Sequence, residues 1–151
     1  MGYNYRLSEL HAALGLTQLR RIDAIVARRE RIAESYAGFL RGIPGVTLPQ
    51  AAPEVTRMSW FVYVIRLDEG INRDRVMEYL RAAGVECKPY FTPIHLQPYL
   101  RREYGFRAGD FPRAEAAGRA CLALPFFNTL TETEMEYVAE KLSEAVAVAT
   151  V

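Results

Sequence analysis

Lysine is nearly absent from this chain. Arginine supplies 17 of the 19 basic side chains, and Lys88 and Lys141 are the only lysines, so chemistry that needs a lysine nucleophile has two positions to use. Cysteine is as scarce. Cys87 and Cys121 stand 34 residues apart with no C-x-x-C pair, which argues against a disulfide framework and against a cysteine-rich zinc site. Free buried thiols are expected instead. The chain also lacks an apolar run of about 18 residues that would span a bilayer, and its N-terminus lacks the charged-then-apolar order of a secretory signal. A cytoplasmic protein with no membrane partner is expected. Charge of one sign is missing too: 19 basic against 18 acidic side chains give a net +1, which leaves no electrostatic footprint for nucleic acid. Gly-rich phosphate loops, H-E-x-x-H and G-x-S-x-G do not occur, so no generic catalytic or metal-ligand signature is assigned.

What is present is the balance of one soluble domain, with 50% hydrophobic and 25% charged side chains over 151 residues. From Leu7 to Leu40 apolar residues recur at helical spacing without a proline, starting at Ser8 and stopping at Gly42 and Pro44. A helix of that length reaches about 50 Å, whereas a compact chain of this size is roughly 40 Å across. One end must therefore bend or overhang: overhanging the leucine-rich stretch Leu7–Leu19 would expose an apolar surface of the kind that marks an interface with another subunit or domain, and a bent helix folded back onto its own domain is the alternative. The remainder alternates short strands and helices. Strands are expected at Val46–Leu48, Trp60–Leu67 (apolar on both faces), Val85–Lys88 and Cys121–Leu124. Helices are expected from Asn72 to Ala83, from Pro98 to Gly105, from Pro112 to about Arg119, and after the Thr131/Glu134 capping box, the last with Met135, Val138, Leu142 and Ala145 as its apolar face. The sum is an α/β (α+β) domain, with residues 1–42 as an extended helical segment and 43–151 as a compact unit.

Two clusters carry candidate chemistry. Gly2-Tyr3-Asn4-Tyr5-Arg6 precedes a helix N-terminus, where an amide and a guanidinium suit a phosphate or carboxylate; Asn4 as a turn residue and Arg6 as a solvated side chain are the plainer alternative. Tyr90-Phe91-Thr92-Pro93-Ile94-His95 is a proline-stiffened loop, where His95 is either a binding group or a packed side chain. His11 on the long helix reads as an interhelical or surface contact. Arg20, Arg21, Arg28, Arg29 and Arg31, interleaved with Asp23, Glu30 and Glu34, read as a solvated face.

Gly2-Tyr3-Asn4-Tyr5-Arg6 through Ala12-Ala13, then Gln18-Leu19, resembles the G-x-N-x-R-x-x-x-x-x-A-A-x-x-x-x-Q-L signature of the DegT/DnrJ/EryC1/StrS aminotransferases. Arg29, Tyr36, Trp60, Tyr90, Pro93, His95 and Leu124-Pro125 follow in the family's order, so the resemblance covers essentially the whole chain. It implies the C-terminal small domain of a fold type I enzyme dependent on pyridoxal 5'-phosphate (PLP), with a small, mostly antiparallel sheet covered by helices and a long connecting helix. In that family the Schiff-base lysine belongs to a large upstream domain and the site lies at a homodimer interface. The resemblance thus implies that Asn4 bonds the PLP phosphate of the neighbouring subunit, and that Arg6, Tyr90 and His95 stand near a nucleotide-sugar. It implies no catalytic residue in this chain and no activity of the chain alone. The reaction implied is amination of a keto group on a nucleotide-linked sugar by an amino-acid donor, typically glutamate. Two alternatives stay open: an aminocyclitol acceptor, and a stand-alone interaction module without chemistry.

Overall fold

The computed structural model describes residues 5–150. Six helices and four strands follow in the order α1 (Glu9–Leu19), α2 (Ile22–Leu40), β1 (Val46–Thr47), β2 (Tyr63–Leu67), α3 (Arg73–Ala82), β3 (Lys88–Pro89), α4 (Pro98–Tyr104), α5 (Pro112–Ala120), β4 (Cys121–Leu124) and α6 (Glu132–Ala149). A single 3-10 turn, Ile94–Leu96, separates β3 from α4. The sheet order is β1-β2-β4-β3 and every pairing is antiparallel. Because side chains alternate along a strand, Tyr63, Ile65 and Leu67 of β2 fall on one face with Leu122 and Leu124 of β4. That face is buried against α2, α3 and α6, whose Ile32, Tyr36, Leu40, Val76, Leu80, Val138 and Leu142 complete the core. On the other face Val64 is half-buried and Arg66 is exposed.

The caps read from sequence are in place. Ser8 caps α1 through its hydroxyl, Asn72 caps α3 by accepting from the Asp74 and Arg75 amides, and Thr131 with Glu134 forms the full capping box of α6. Gly105 ends α4 in the left-handed region at φ +72°, where a side chain would be strained.

Three expectations are corrected. The Leu7–Leu40 segment is helical but interrupted: the Arg21 amide bonds the Gln18 carbonyl, an i to i−3 contact that tightens the turn, and Arg21 leaves the helical region at φ −105°, ψ 1°. Among the described residues nothing holds α1 in line with α2, since α1 buries no residue whereas α2 buries five. The strand expected from Trp60 begins only at Tyr63, because Trp60 takes φ +48° and turns the chain off the sheet. The strand expected over Val85–Lys88 shrinks to Lys88–Pro89, with Val85 and Cys87 entering the core from an irregular segment.

Candidate functional site

The loop from Tyr90 to Gln97 is built onto α5. Gly118 faces it: a Cβ at that position would stand 2.8 Å from both the Phe91 carbonyl oxygen and Pro93 Cδ, closer than real contacts allow. Glycine costs about 1 kcal/mol against alanine inside a helix, so the close approach explains its presence. Arg73 fixes the far end of α5 by donating through Nη1 to the carbonyls of Gly118 and Cys121, each at 3.2 Å, which satisfies backbone groups that a helix terminus leaves open.

Within the loop Tyr90 is half-buried and stacks on Phe91, ring centroids 4.2 Å apart; the peptide joining them is cis. His95 is buried, with 7% of its surface exposed. Its Nε2 lies 3.0 Å from Oε1 of Glu115 on α5, and its ring packs against Phe111 and Phe106. The Gly109 N–H donates to the same carboxylate oxygen at 2.8 Å. These two donors, the Gly109 amide foremost, hold the Glu115 carboxyl below the usual carboxylate range.

The structure therefore brings Tyr90 and His95 together on one templated loop. Arg6 lies in the exposed segment before α1 and makes no hydrogen bond or ion pair among the described residues. Asn4 lies outside the described residues. His11 serves locally, its Nδ1 2.7 Å from the Ser8 hydroxyl. Glu115 and Gly118 were missed by sequence reasoning; their i, i+3 spacing on a helix of small residues puts both on one face, which is the signal that was there to use.

The arginines of α2 are not simply solvated. Arg29 Nη1 donates to the carbonyls of Trp60 at 2.7 Å and Phe61 at 3.1 Å while its guanidinium lies over the Phe126 ring. Arg28 reaches the Asn128 carbonyl at 3.1 Å. Beneath them Tyr36 and Tyr63 are fully buried, ring centroids 4.9 Å apart, with hydroxyls that have no partner among the described residues. Burial pushes the Tyr63 hydroxyl up to about 12, and Tyr36 is raised further by burial with Tyr63 beside it.

The two lysines stand in different settings. Lys141 donates to both Glu144 oxygens and to Glu140 at 2.9 to 3.0 Å, and those bonds, Glu144 first, raise its pKa. A nucleophilic amine needs the opposite shift. Lys88 is exposed on β3, at the rim of an open groove of about 560 Å³ shared with Pro89, Phe91 and Ile94. Of the thiols Cys87 is buried and Cys121 half-buried, and burial raises both. No helix among the described residues is long and apolar enough to cross a membrane.

The comparisons with known proteins converge. The profile described as the DegT/DnrJ/EryC1/StrS aminotransferase family matches residues 1–143. The spore coat polysaccharide biosynthesis protein SpsC of Bacillus subtilis is 32% identical over 149 residues, 96% of this chain and 38% of the relative. The GDP-perosamine synthase of Caulobacter vibrioides is 37% identical over 147 residues, 95% of this chain and 38% of the relative. The crystal structure of DesV from S. venezuelae, in complex with a ketimine intermediate, superposes with a TM-score of 0.84 at 31% identity, over 95% of this chain and 38% of that one. The chain thus spans 38% of the length of the curated relatives it matches.

Proposed function

Since this chain belongs to the DegT/DnrJ/EryC1/StrS aminotransferase family, we propose that it forms the C-terminal small-domain part of a cytoplasmic, PLP-dependent enzyme that aminates a keto group on a nucleotide-linked sugar. The amino group comes from an amino-acid donor. The observation that carries this reading is a family match running through residues 1–143 of a chain that covers only 38% of its relatives. The relatives' names point to sugar chemistry.

In this reading the PLP-anchoring lysine belongs to an upstream domain. That agrees with the exposure of Lys88 and with the paired, proton-retaining Lys141. When bound, PLP supplies the electron sink of amine transfer; the chain's own residues bind and orient. Asn4 bonds the cofactor phosphate of a second subunit, and Arg6, without an ion-pair partner among the described residues, offers a bidentate donor to the substrate diphosphate. Tyr90 and His95 line the sugar pocket from the loop that α5 holds. Helix α1 packs against the upstream domain and the partner subunit, which accounts for Leu10, Leu14, Leu16 and Leu19 all being more than half exposed here.

The test is expression of the longest open reading frame containing these residues, followed by an assay of glutamate-dependent amination of keto nucleotide-sugars with PLP. Amination by the long product and none by the 151 residues alone is the expected result. A PLP absorbance shift with the isolated chain, abolished in Lys88→Ala, would overturn the reading.

A further inference from the structure

Among the described residues Glu115 is the only buried carboxylate, and its single partner side chain is the buried imidazole of His95. An ionised carboxylate can only accept hydrogen bonds. Both groups that meet Oε1 must then be donors: the Gly109 N–H at 2.8 Å, and His95 Nε2 at 3.0 Å. A buried carboxylate stripped of such donors is costly, so the contact constrains both partners. The surroundings allow the ring little choice, since Phe111 packs on it at 4.8 Å between centroids and Phe106 stands edge-on at 6.5 Å.

One helical turn along α5, Gly118 seats the Phe91 carbonyl and the Pro93 ring. Thus α5 grips the loop at two points on one face, a polar bond from Glu115 to His95 near the start of the helix and a steric seat at Gly118 for Phe91 and Pro93 near its end. Between them the loop's own backbone bonds, Leu96 N–H to Pro93 and Gln97 N–H to Ile94, make one 3-10 turn, too short to hold itself.

We propose that Glu115 is the positioning residue of this loop: its carboxylate fixes a proton of the His95 ring on Nε2, so that the tautomer it selects carries its lone pair on Nδ1, and it pins the loop to α5. The tautomer and the pinning follow from the contacts alone. Their bearing on a sugar pocket rests on the function proposed above.

The test is a long-range 1H–15N correlation spectrum of the 15N-labelled 151-residue chain, with amide exchange measured on the same sample. A protonated-type shift at His95 Nε2 and an unprotonated-type shift at Nδ1 are expected, and are retained in Glu115→Gln, whose amide oxygen still accepts both bonds. Glu115→Ala gives a mixture of tautomers and exchange at Leu96 and Gln97 faster by about ten-fold, the loss of one charge-assisted bond, with Ile65 unchanged. The reverse tautomer in the wild type overturns the proposal even if Glu115→Ala does not fold. So does an Ala variant with unaltered tautomer and exchange. In the complete enzyme Glu115→Ala raises KM for the keto-sugar by about ten-fold with a smaller effect on kcat. A tautomer that changes while KM stays fixed sustains the positioning role and overturns the pocket.

Discussion

The Arg29 guanidinium bonds the carbonyl oxygen of Trp60 at 2.7 Å, across 31 residues of sequence. With its second bond to the Phe61 carbonyl, this contact stabilises the chain where Trp60 adopts φ +48° and delays the start of β2 until Tyr63. Trp60 in turn stacks on Tyr63, ring centroids 5.8 Å apart, and so caps the buried tyrosine pair. Arg29→Ala is expected to remove two charge-assisted bonds, one to the half-buried Trp60 carbonyl and one to the exposed Phe61 carbonyl, and to cost about 1 to 3 kcal/mol. Urea unfolding followed by Trp60 fluorescence measures it. Arg29→Lys recovers less than half, because the ammonium lacks the planar guanidinium that lies over the Phe126 ring.

Gly118 and Gly38 both sit inside helices, yet opposite outcomes are expected on changing each to alanine. Nothing lies within 4 Å of a Cβ built on Gly38, so Gly38→Ala gains about 0.5 to 1 kcal/mol from the reduced freedom of the unfolded chain. Gly118→Ala collides with the Phe91 carbonyl and Pro93 and loses about 1 to 3 kcal/mol. Equal shifts of the two thermal midpoints would contradict the seat assigned to Gly118.

Alkaline titration reads the tyrosine pair. Burial raises the Tyr63 hydroxyl to about 12 and lifts Tyr36 as well. The folded state therefore holds protons that the unfolded chain releases near 10. The stabilisation is complete below that pH and disappears as pH rises toward 12. Absorbance at 295 nm is expected to leave two of the nine tyrosines unionised until the protein unfolds, and Tyr63→Phe is expected to flatten the alkaline loss of stability.

The leucines of α1 separate stability from assembly. Leu10 is 85% and Leu14 60% exposed, so the double change Leu10→Gln and Leu14→Gln is expected to alter unfolding of the 151-residue chain by less than about 0.5 kcal/mol. In the complete enzyme the same change is expected to weaken subunit association, seen as a shift toward monomer in sedimentation velocity. A large loss of stability in the isolated chain would show instead that α1 folds back on its own domain.

Local chemistry made much of this fold legible. Ser8, Asn72 and Thr131-x-x-Glu134 cap where they were read, Gly105 ends α4, and Met135, Val138, Leu142 and Ala145 are the buried stripe of α6. Each cap is decided within four or five residues of chain, and the stripe by repeated i, i+3 and i+4 spacing. The break at Arg20–Arg21 was not legible, because neither residue is a helix breaker and the interruption occurs where packing of α2 begins and α1 has none. Arg29 stood out from Arg31 only as a family landmark, with nothing to show what it bonds, and the arrival of the Trp60 turn made it a structural donor.

The sequence by itself determined the positions of the caps, the α6 core stripe, the family to which the chain belongs, and a proline-stiffened loop bearing Tyr90 and His95. Those properties are local, or are carried by residue identity. Tertiary structure alone decided that His95 is buried against Glu115, 20 residues away, and that Gly118 is the seat of Phe91 and Pro93. Both depend on how α5 lies against the loop, a long-range packing relation that the spacing of residues along the chain does not encode.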